Sequence, residues 1–462
     1  MMRIFKILLL TCLTLVSLAS KGVFAQTGSA PIIIRDTEIE NILKDWTEPL
    51  LTASGMGRDS VNLIVVQNPE LNAFVAGGAN IFLYTGLIEK TSTPEELIGV
   101  IAHELGHIQG GHLIRSREMI ENASYEAILG TVLGLGAAIL TGDGNAAAAV
   151  SMGARSQAER RFLAFSRVQE STADQSALSS MNGAGINPEG LLTFMQKIES
   201  QELLPASQQS EYVRSHPLTR DRIDAIQQGV KKSPAGGRQS PARWNDEHKR
   251  FIAKLTGFIS PEKVSWVYDD RDQSLYARYA RAIAAYRQNR VDESLKLMGG
   301  LLAEEPENPY FHELQGQMLT DFGRTAPAEI SLRRAVELKP DAGLIRIMLA
   351  HVLLENSGNG RDAARVEDAI RHLDRARRDE PRTSRVHRLL ATAYGYQGKM
   401  PESRLELAEE AVLQRRYLEA KKMAESAAGQ MSQGSRSWLR AQDILAYIGS
   451  VRKDDEGDKA NN

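Results

Sequence analysis

Cysteine is almost absent from this chain of 462 residues, and the single one, Cys12, lies in an apolar run near the N-terminus. A chain with one cysteine forms no internal disulfide, so its stability must come from packing rather than from cross-links. Any metal ion that it binds must be held by nitrogen and oxygen atoms, because a cluster of thiolate ligands is excluded.

An excess of charge of either sign is also missing. The chain has 56 Lys and Arg against 58 Asp and Glu, which gives a formal net charge of −2. No basic run of the kind that binds nucleic acid interrupts this balance, so we expect no nucleic-acid partner. The length exceeds what one hydrophobic core usually supports, and two or three domains are expected.

Apolar runs long enough to span a membrane are missing as well. The first of two shorter runs, residues 7–19, follows the basic residues Arg3 and Lys6 and precedes the small-residue site Val23-Phe24-Ala25. This pattern predicts a signal peptide over residues 1–25, with cleavage after Ala25. The run is too short to cross a bilayer comfortably. We therefore expect an exported protein.

One short motif carries most of the chemical information. In His103-Glu104-Leu105-Gly106-His107 the two histidines are four residues apart. On an α-helix such residues share a face, so both imidazoles can reach one metal ion. Glu104 lies about 100° away around the helix, beside the metal, where it can take a proton from water. Zn²⁺ suits two imidazoles plus one further ligand, although a core helix with two buried histidines fits the bare pattern equally well.

The residues around the motif predict an amphipathic helix. Thr93 is expected to cap the N-terminus, Pro94 to occupy the first helical position, and Glu96 to complete a capping box. His112 comes nine residues after His103, so we expect it to face away from the metal, either at the surface or behind a metal ligand. Apolar residues follow the cap at helical spacing: Leu97, Ile98, Ile101, Leu105 and Ile108.

A third metal ligand must come from elsewhere in the chain. No histidine follows His107 at the spacing of the extended three-histidine motif. Glu170 and Asp174 are four residues apart on a predicted helix, so Glu170 could bind the metal and Asp174 could orient a ligating histidine. Arg167, on the same face, could pair with Asp174 or with another buried acid. An ordinary charged helix face has the same spacing, and both interpretations stay open at this point.

The order and spacing of several segments resemble the HtpX and BepA-like zinc metallopeptidases over roughly residues 40–230. The resemblance implies one Zn²⁺ per chain, bound by His103, His107 and Glu170, with Glu104 as general base. It also brings His216 to the site as a switchable ligand or transition-state donor, whereas the sequence alone favours a loop histidine at that position. The segments are Asn72-Ala73-Phe74, Gly77-Gly78, Gly86-Leu87-Ile88, Glu95-Glu96-Leu97, His103 to His107, Ser166 to Asp174, and His216-Pro217.

Two further segments of this half have open interpretations. The Gly-rich apolar run at residues 127–140 is either a buried helical hairpin or part of a flap, residues 119–160, over the active site or against a membrane surface. Residues 61–66 and 79–84 have the composition of strands. We expect Asn80, Ile81 and Phe82 to form a sheet edge to which an extended substrate adds, although an interior strand fits as well.

The second half of the chain is repetitive. Pro306 and Pro340 are 34 residues apart, and Pro381 follows after 34 plus a seven-residue insertion. A 34-residue period of paired helices indicates tetratricopeptide repeats, with tight turns at Asn289 and at the two equivalent glycines, Gly323 and Gly398. We assign residues 231–272 to a linker and connecting helix, 273–450 to the repeats, and 451–462 to a disordered tail.

The sequence thus predicts an α+β, mainly α protein. A zincin-like metallopeptidase domain with a small β-sheet, residues 26–230, precedes an all-α tetratricopeptide solenoid. The expected function is a zinc-dependent endopeptidase in periplasmic and outer-membrane protein quality control, whose repeats dock on protein clients or on the assembly machinery. The competing class is a periplasmic chaperone or scaffold with a latent or structural zinc site. An intact Glu104 argues against that class, since a structural site needs no base.

Overall fold

The computed structural model describes residues 32–112, 166–205 and 207–460. The predicted signal peptide and the 119–160 segment lie outside the described residues. Within the described ranges, every helix is too short or too polar to cross a membrane. The first half consists of β1 (Ile32–Ile34), α1 (Thr37–Ala53), β2 (Asn62–Gln67), β3 (Ala73–Ala76), β4 (Asn80–Tyr84), α2 (Thr85–Lys90), α3 (Pro94–Gln109), α4 (residues 166–184), α5 (Glu189–Ile198), α6 (Glu211–Ser215) and α7 (Arg220–Lys231).

The strands form a four-stranded sheet in the described part of the chain, with the order β1-β2-β4-β3. β2 and β4 are parallel, and the two outer pairs are antiparallel. Gly77 and Gly78 have φ of 60° and 95°, a left-handed backbone that glycine adopts readily, so β3 folds back directly onto β4.

The prediction that Asn80, Ile81 and Phe82 form the sheet edge is therefore wrong. These residues lie in β4, which has a hydrogen-bonded neighbour on each side. Ile81, for example, is opposite Leu63 on β2 and Val75 on β3. The free edge beside α3 belongs to β3, because the glycine hairpin places that strand outside β4.

The core of the first half forms where α1 and α3 pack on the sheet and α5 packs on α3. Trp46 and Phe194 are completely buried in it. Two glycines of α3 allow the neighbouring helices to approach closely. A Cβ atom on Gly99 would lie 2.7 Å from the Cα of Leu191, and one on Gly106 would lie 2.7 Å from the carbonyl oxygen of Ala173. α3 is thus held tightly between α5 and α4.

The second half is built from helix pairs, as the 34-residue period predicts. Asn289, Gly323 and Gly398 occupy the predicted tight turns with φ of 58°, 71° and 72°. The last helix continues to Ala460, past residue 451, where the sequence analysis places the start of a disordered tail. The helices are α10 (Leu275–Arg287), α11 (Val291–Glu304), α12 (Pro309–Asp321), α13 (Thr325–Leu338), α14 (Gly343–Asn356), α15 (Ala363–Asp379), α16 (Ser384–Tyr396), α17 (Met400–Leu413), α18 (Tyr417–Ala428) and α19 (Arg436–Ala460).

The region between the halves, assigned above to a linker and connecting helix, contains α8 (Ala242–Ile259) and the short α9 (Val264–Val267). α8 contributes Trp244 and Phe251 to the core of the first half. Its Ala253 belongs to the core of the first repeat. α8 contacts α1, α2 and α3 on one side and α10 on the other, so it is shared by both domains.

Candidate metal centre

α3 presents the His-Glu-x-x-His motif from a well-fixed N-terminus. The Thr93 side chain accepts a hydrogen bond from the backbone N–H of Glu96, as the capping prediction requires. The Glu96 carboxylate accepts from the backbone N–H of Ser92 at 2.7 Å and pairs with Lys197 at 2.6 Å. Two and three turns along the helix, His103 and His107 lie on one face with their Nε2 atoms 3.1 Å apart. The motif therefore has the geometry that its spacing predicts.

α4 brings a carboxylate to these two imidazoles. The Oε2 atom of Glu170 lies 3.3 Å from Nε2 of His103, and its Oε1 atom lies 3.4 Å from Nε2 of His107. The close approach depends on Gly106, which leaves room for the backbone of Ala173 one turn after Glu170.

His216 completes the group. It follows α6, and its Nδ1 atom lies 3.2 Å from both carboxylate oxygens of Glu170 and 3.5 Å from Nε2 of His103. One donor atom from each of His103, His107, Glu170 and His216 lies within 4.8 Å of the other three. Three imidazole nitrogens and one carboxylate oxygen, all converging, form a donor set that suits a transition-metal ion such as zinc.

A second set of contacts orients these donors. The Oδ1 atom of Asp174 lies 3.0 Å from Nδ1 of His103, so it fixes the ring whose other nitrogen faces Glu170. Arg222, from α7, forms a two-pronged contact with Asp174 at 2.7 and 2.9 Å. A third nitrogen of Arg222 lies 3.0 Å from Glu170.

The prediction that Arg167 pairs with Asp174 is wrong, because Arg167 is exposed on α4 and Arg222 occupies that position. Helical spacing within α4 suggested Arg167, whereas Arg222 arrives from another helix. The sequence did carry a signal for Arg222, because this residue lies in a Thr219-capped helix that starts four residues after His216.

His112 lies behind a motif histidine, the second of its two expected positions, although α3 does not continue to it. α3 ends at Gln109, and Gly111 has a left-handed φ of 62°, so the chain turns back instead of continuing the helix. His112 is consequently buried, with Nδ1 3.0 Å from Nδ1 of His107. His112 therefore contacts the ring nitrogen of His107 that faces away from Glu170.

Glu104 lies at the inner wall of the site. Its side chain is 1 % exposed, and neither carboxylate oxygen has a hydrogen-bonding partner among the described residues. One oxygen lies 3.6 Å from Nε2 of His216. The buried hydroxyl of Tyr212, whose ring centroid is 4.8 Å from that of His216, also lacks a partner within the described ranges. Unpaired buried groups are costly, so their occurrence together suggests that they serve a reacting molecule.

The electrostatic environment favours a positive charge among the donors. Burial alone would lower the pKa of His103, but hydrogen bonds to Asp174 and Glu170 outweigh it and raise that pKa to about 10. Burial and the neighbouring His103 lower the pKa of His107 to about 2, so its ring stays neutral. Burial raises the pKa of Glu104. Burial also opposes ionisation of Glu170, but His216 and His103 hold its pKa well below the usual range.

Comparisons with known proteins agree with this geometry. Residues 35–230 match Peptidase family M48, and residues 279–343 match the tetratricopeptide repeat. The beta-barrel assembly-enhancing protease of Yersinia pestis is 25% identical over 89% of this chain and 84% of its own length. The Escherichia coli (strain K12) protein of the same name is 25% identical over 73% of this chain and 69% of its own length. A solved structure of YrrB, titled a TPR protein with an unusual peptide-binding site, covers 38% of this chain and 91% of its own at 16% identity and a TM-score of 0.32.

The fold and the site together define a metalloprotease. The chain carries a Peptidase family M48 domain followed by tetratricopeptide repeats, and over most of its length it is similar to the beta-barrel assembly-enhancing proteases. The predicted α+β, mainly α fold class and the predicted repeats are confirmed.

Proposed function

We propose that this protein is an exported, zinc-dependent endopeptidase that degrades unfolded or stalled outer-membrane proteins in the periplasm. The observation that carries the proposal is the buried, unpaired Glu104 carboxylate beside four converging donor atoms. The names of the similar proteins supply the substrate class. The basic, apolar and small-residue order of residues 1–25 supplies the compartment.

Zinc fits the residues present. His103, His107 and Glu170 would hold it, and these three ligands match the two-histidine, one-carboxylate set of zinc peptidases. When bound there, Zn²⁺ supplies Lewis acidity that lowers the pKa of water and polarises the peptide carbonyl. The tilt and charge of the ligands are set by Asp174 and Arg222, which fix His103 and Glu170.

Glu104 acts as the proton carrier. Its carboxylate is buried and faces the donors, so it accepts a proton from the attacking water and later passes that proton to the leaving amine. Burial raises the pKa of Glu104, which brings its basicity closer to the operating pH. No other carboxylate in the described site is free of hydrogen bonds in this way.

His216 has two possible roles, and we propose that it is mobile between them. With Nδ1 close to Glu170 and His103, it can serve as a fourth donor and close the site, which would keep the protease latent. Its other ring nitrogen, Nε2, lies 3.6 Å from Glu104 in the same conformation, and with the ring swung away from the donors it can donate a hydrogen bond to the developing oxyanion of the substrate. Pro217 disfavours a helical backbone at His216, whose φ and ψ are −124° and 73°, so we place the motion in the side chain.

We further propose that substrate binds as an added strand along β3. Tyr84 donates its N–H to the carbonyl of Asn72, which makes this a hydrogen-bonded pair. Pairs alternate along an antiparallel ladder, so the N–H and C=O groups of Ala73 and Val75 point away from β4. An extended peptide can accept and donate there, beside α3.

The repeats are the proposed docking surface for protein clients or for the outer-membrane assembly machinery. Helix-pair solenoids of this kind bind protein segments along an extended surface and contribute no chemistry of their own. Docking would raise the local concentration of a client near the metal centre.

A second function is favoured by one observation. Four protein donors converge, and zinc held by four protein ligands is typical of structural sites, so the protein could act as a chaperone or scaffold with a latent centre. Degradation of an unfolded model protein, with and without a chelator, separates the two functions. We expect chelator-sensitive cleavage that Glu104→Gln abolishes while about one zinc per chain remains, because the ligands are untouched. A wild-type protein that binds zinc and cleaves nothing would support the scaffold.

His216→Ala separates the two roles of that side chain. If His216 closes the site as a fourth donor, its removal should increase basal proteolysis. A transition-state donor predicts a lower kcat with the zinc content unchanged. Kinetics equal to those of the wild type would remove both roles.

A further inference from the structure

The two domains meet at a buried cluster of charged residues. The first turn of α1, which belongs to the peptidase domain, lies against α8 and against α10 and α12, the first helices of the first two repeats. This docking cluster consists of Asp36, Glu38, Lys254, Tyr279 and Glu313. Glu38, Lys254 and Tyr279 are at most 2 % exposed, and Glu313 is 7 % exposed.

Lys254 of α8 neutralises two of the carboxylates. Its Nζ atom lies 2.8 Å from the carboxylate of Asp36 and 3.1 Å from that of Glu38. Tyr279, from the first repeat, donates its hydroxyl to the same oxygen of Glu38 at 2.8 Å. Because Lys254 is already paired with Asp36 and Glu38, it does not neutralise a third carboxylate.

Glu313, from the second repeat, is that third carboxylate. Its Oε1 atom accepts a hydrogen bond from the Thr37 hydroxyl at 2.5 Å, and its Oε2 atom has no partner among the described residues. The other nearby cation, Arg250, is already paired with Glu305 and lies over the ring of Phe311. An ionised Glu313 would therefore be a buried charge without a counter-charge, which is costly.

Every element packed around Glu313 contributes to this environment. α1 and its cap present two acids and a hydroxyl, Asp36, Glu38 and Thr37. α8 presents Lys254 and Arg250, which are both paired with acids. The repeats add the neutral phenols Tyr279 and Tyr310. The net charge with an ionised Glu313 is negative, and a bound proton reduces the excess.

We propose that Glu313 holds a proton while the repeats are docked on the peptidase domain and releases it when they separate, so that docking of the two domains is proton-linked. A cleft of about 540 Å³ at the junction reaches the cluster at Glu38. Its lining includes Glu38, Arg250, Glu305 and Tyr310. Separation would expose the faces of α10 and α12 that now cover α1.

The direction of the pH dependence follows from the charges. Burial and the nearby Asp36 raise the pKa of Glu313 to about 8, against about 4.3 for a free glutamate. A raised pKa in the docked state means that this contribution to docking is complete below the free value and is lost as pH rises through about 8. Within that window one proton is released per separation, so the docking constant falls by up to about ten-fold per pH unit.

Hydrogen–deuterium exchange of the full chain tests the proposal. The readout is the protection of the α1 first-turn amides, such as Ile39 and Glu40, corrected for intrinsic exchange and compared with the amides of α18, which contacts only its neighbours in the solenoid. Between pH 5.5 and 9 we expect protection at α1 to fall relative to α18 in the wild type. Glu313→Gln should flatten this dependence, and Glu337→Gln, an exposed residue on α13, should leave it unchanged.

A second variant keeps the test decisive if Glu313→Gln fails to fold. Thr37→Ala removes the hydrogen bond that favours the ionised form of Glu313, so the midpoint of the pH dependence should move to higher pH. Wild-type protection that does not vary with pH, or an equal slope in Glu313→Gln, would overturn the proposal. Unchanged midpoints in Thr37→Ala would also contradict it.

Discussion

At the scale of single residues, Arg222 is the side chain that links the two carboxylates of the metal centre. It contacts Asp174, which orients His103, and Glu170, which faces both motif histidines. Burying this guanidinium between two acids is favourable only while both contacts are kept. Its flat, forked shape matches that requirement, and a lysine cannot reproduce it.

We expect Arg222→Lys to lower zinc affinity by about 10- to 100-fold, because the orientation of the ligands is lost while the ligands remain. Competition with a chromophoric chelator measures the affinity. Arg220→Lys, an exposed residue in the same helix, is the matched control. Equal affinities in the two variants would mean that Asp174 and Glu170 keep their positions unaided.

Glu170→Ala should abolish stoichiometric zinc binding, because it removes a ligand atom that lies next to both imidazoles. Glu189→Ala, at an exposed carboxylate in α5, should retain about one zinc per chain. Elemental analysis of the dialysed proteins gives the ratio. Full zinc content in Glu170→Ala would assign the third ligand to His216.

At the scale of elements, α3 and the edge strand β3 fix where a substrate can lie relative to the metal. β3 contacts α3, and its outer backbone groups come from Ala73 and Val75. Proline at an edge position removes one N–H without breaking the ladder on the inner side.

Val75→Pro should therefore raise KM for an extended peptide, with the zinc content and the melting temperature close to those of the wild type. Val75→Ala keeps the N–H and trims the side chain, so it separates the backbone contact from side-chain effects. If the two variants have the same KM, substrate does not bind through this N–H.

Sequence patterns predicted the elements whose signals are local. The cap at Thr93, the spacing of His103 and His107, and the turns at Gly323 and Gly398 each depend on residues a few positions apart. The errors concern partners brought from a distance. Arg222 replaced Arg167 because α7 folds back onto α4. β4 became interior because the Gly77-Gly78 hairpin placed β3 outside it, and no periodicity within β4 carries that information.

At the scale of the whole molecule, α8 and the docking cluster join the peptidase domain to the repeats. Lys254 is the single cation of that cluster in direct contact with Asp36 and Glu38. Lys254→Ala would leave the buried Glu38 and the partly buried Asp36 without a counter-charge, which costs about 3–5 kcal/mol. We expect a clearly lower midpoint of thermal unfolding, followed by calorimetry, whereas Lys231→Ala at an exposed site should match the wild type. Identical midpoints would mean that water replaces the lysine.

The shared helix also determines how such a protein can change in length during evolution. The first repeat is tied to α8 through its core, and the first two repeats touch α1 through Tyr279 and Glu313. An inserted or deleted helix pair there would shift these residues away from their partners. Apart from the ion pair of Glu380 with Arg35, which precedes α1, later pairs contact mainly their neighbours along the solenoid. New repeats can therefore be added or lost at the end distant from the peptidase, so the reach of the solenoid can vary between descendants while its attachment stays the same.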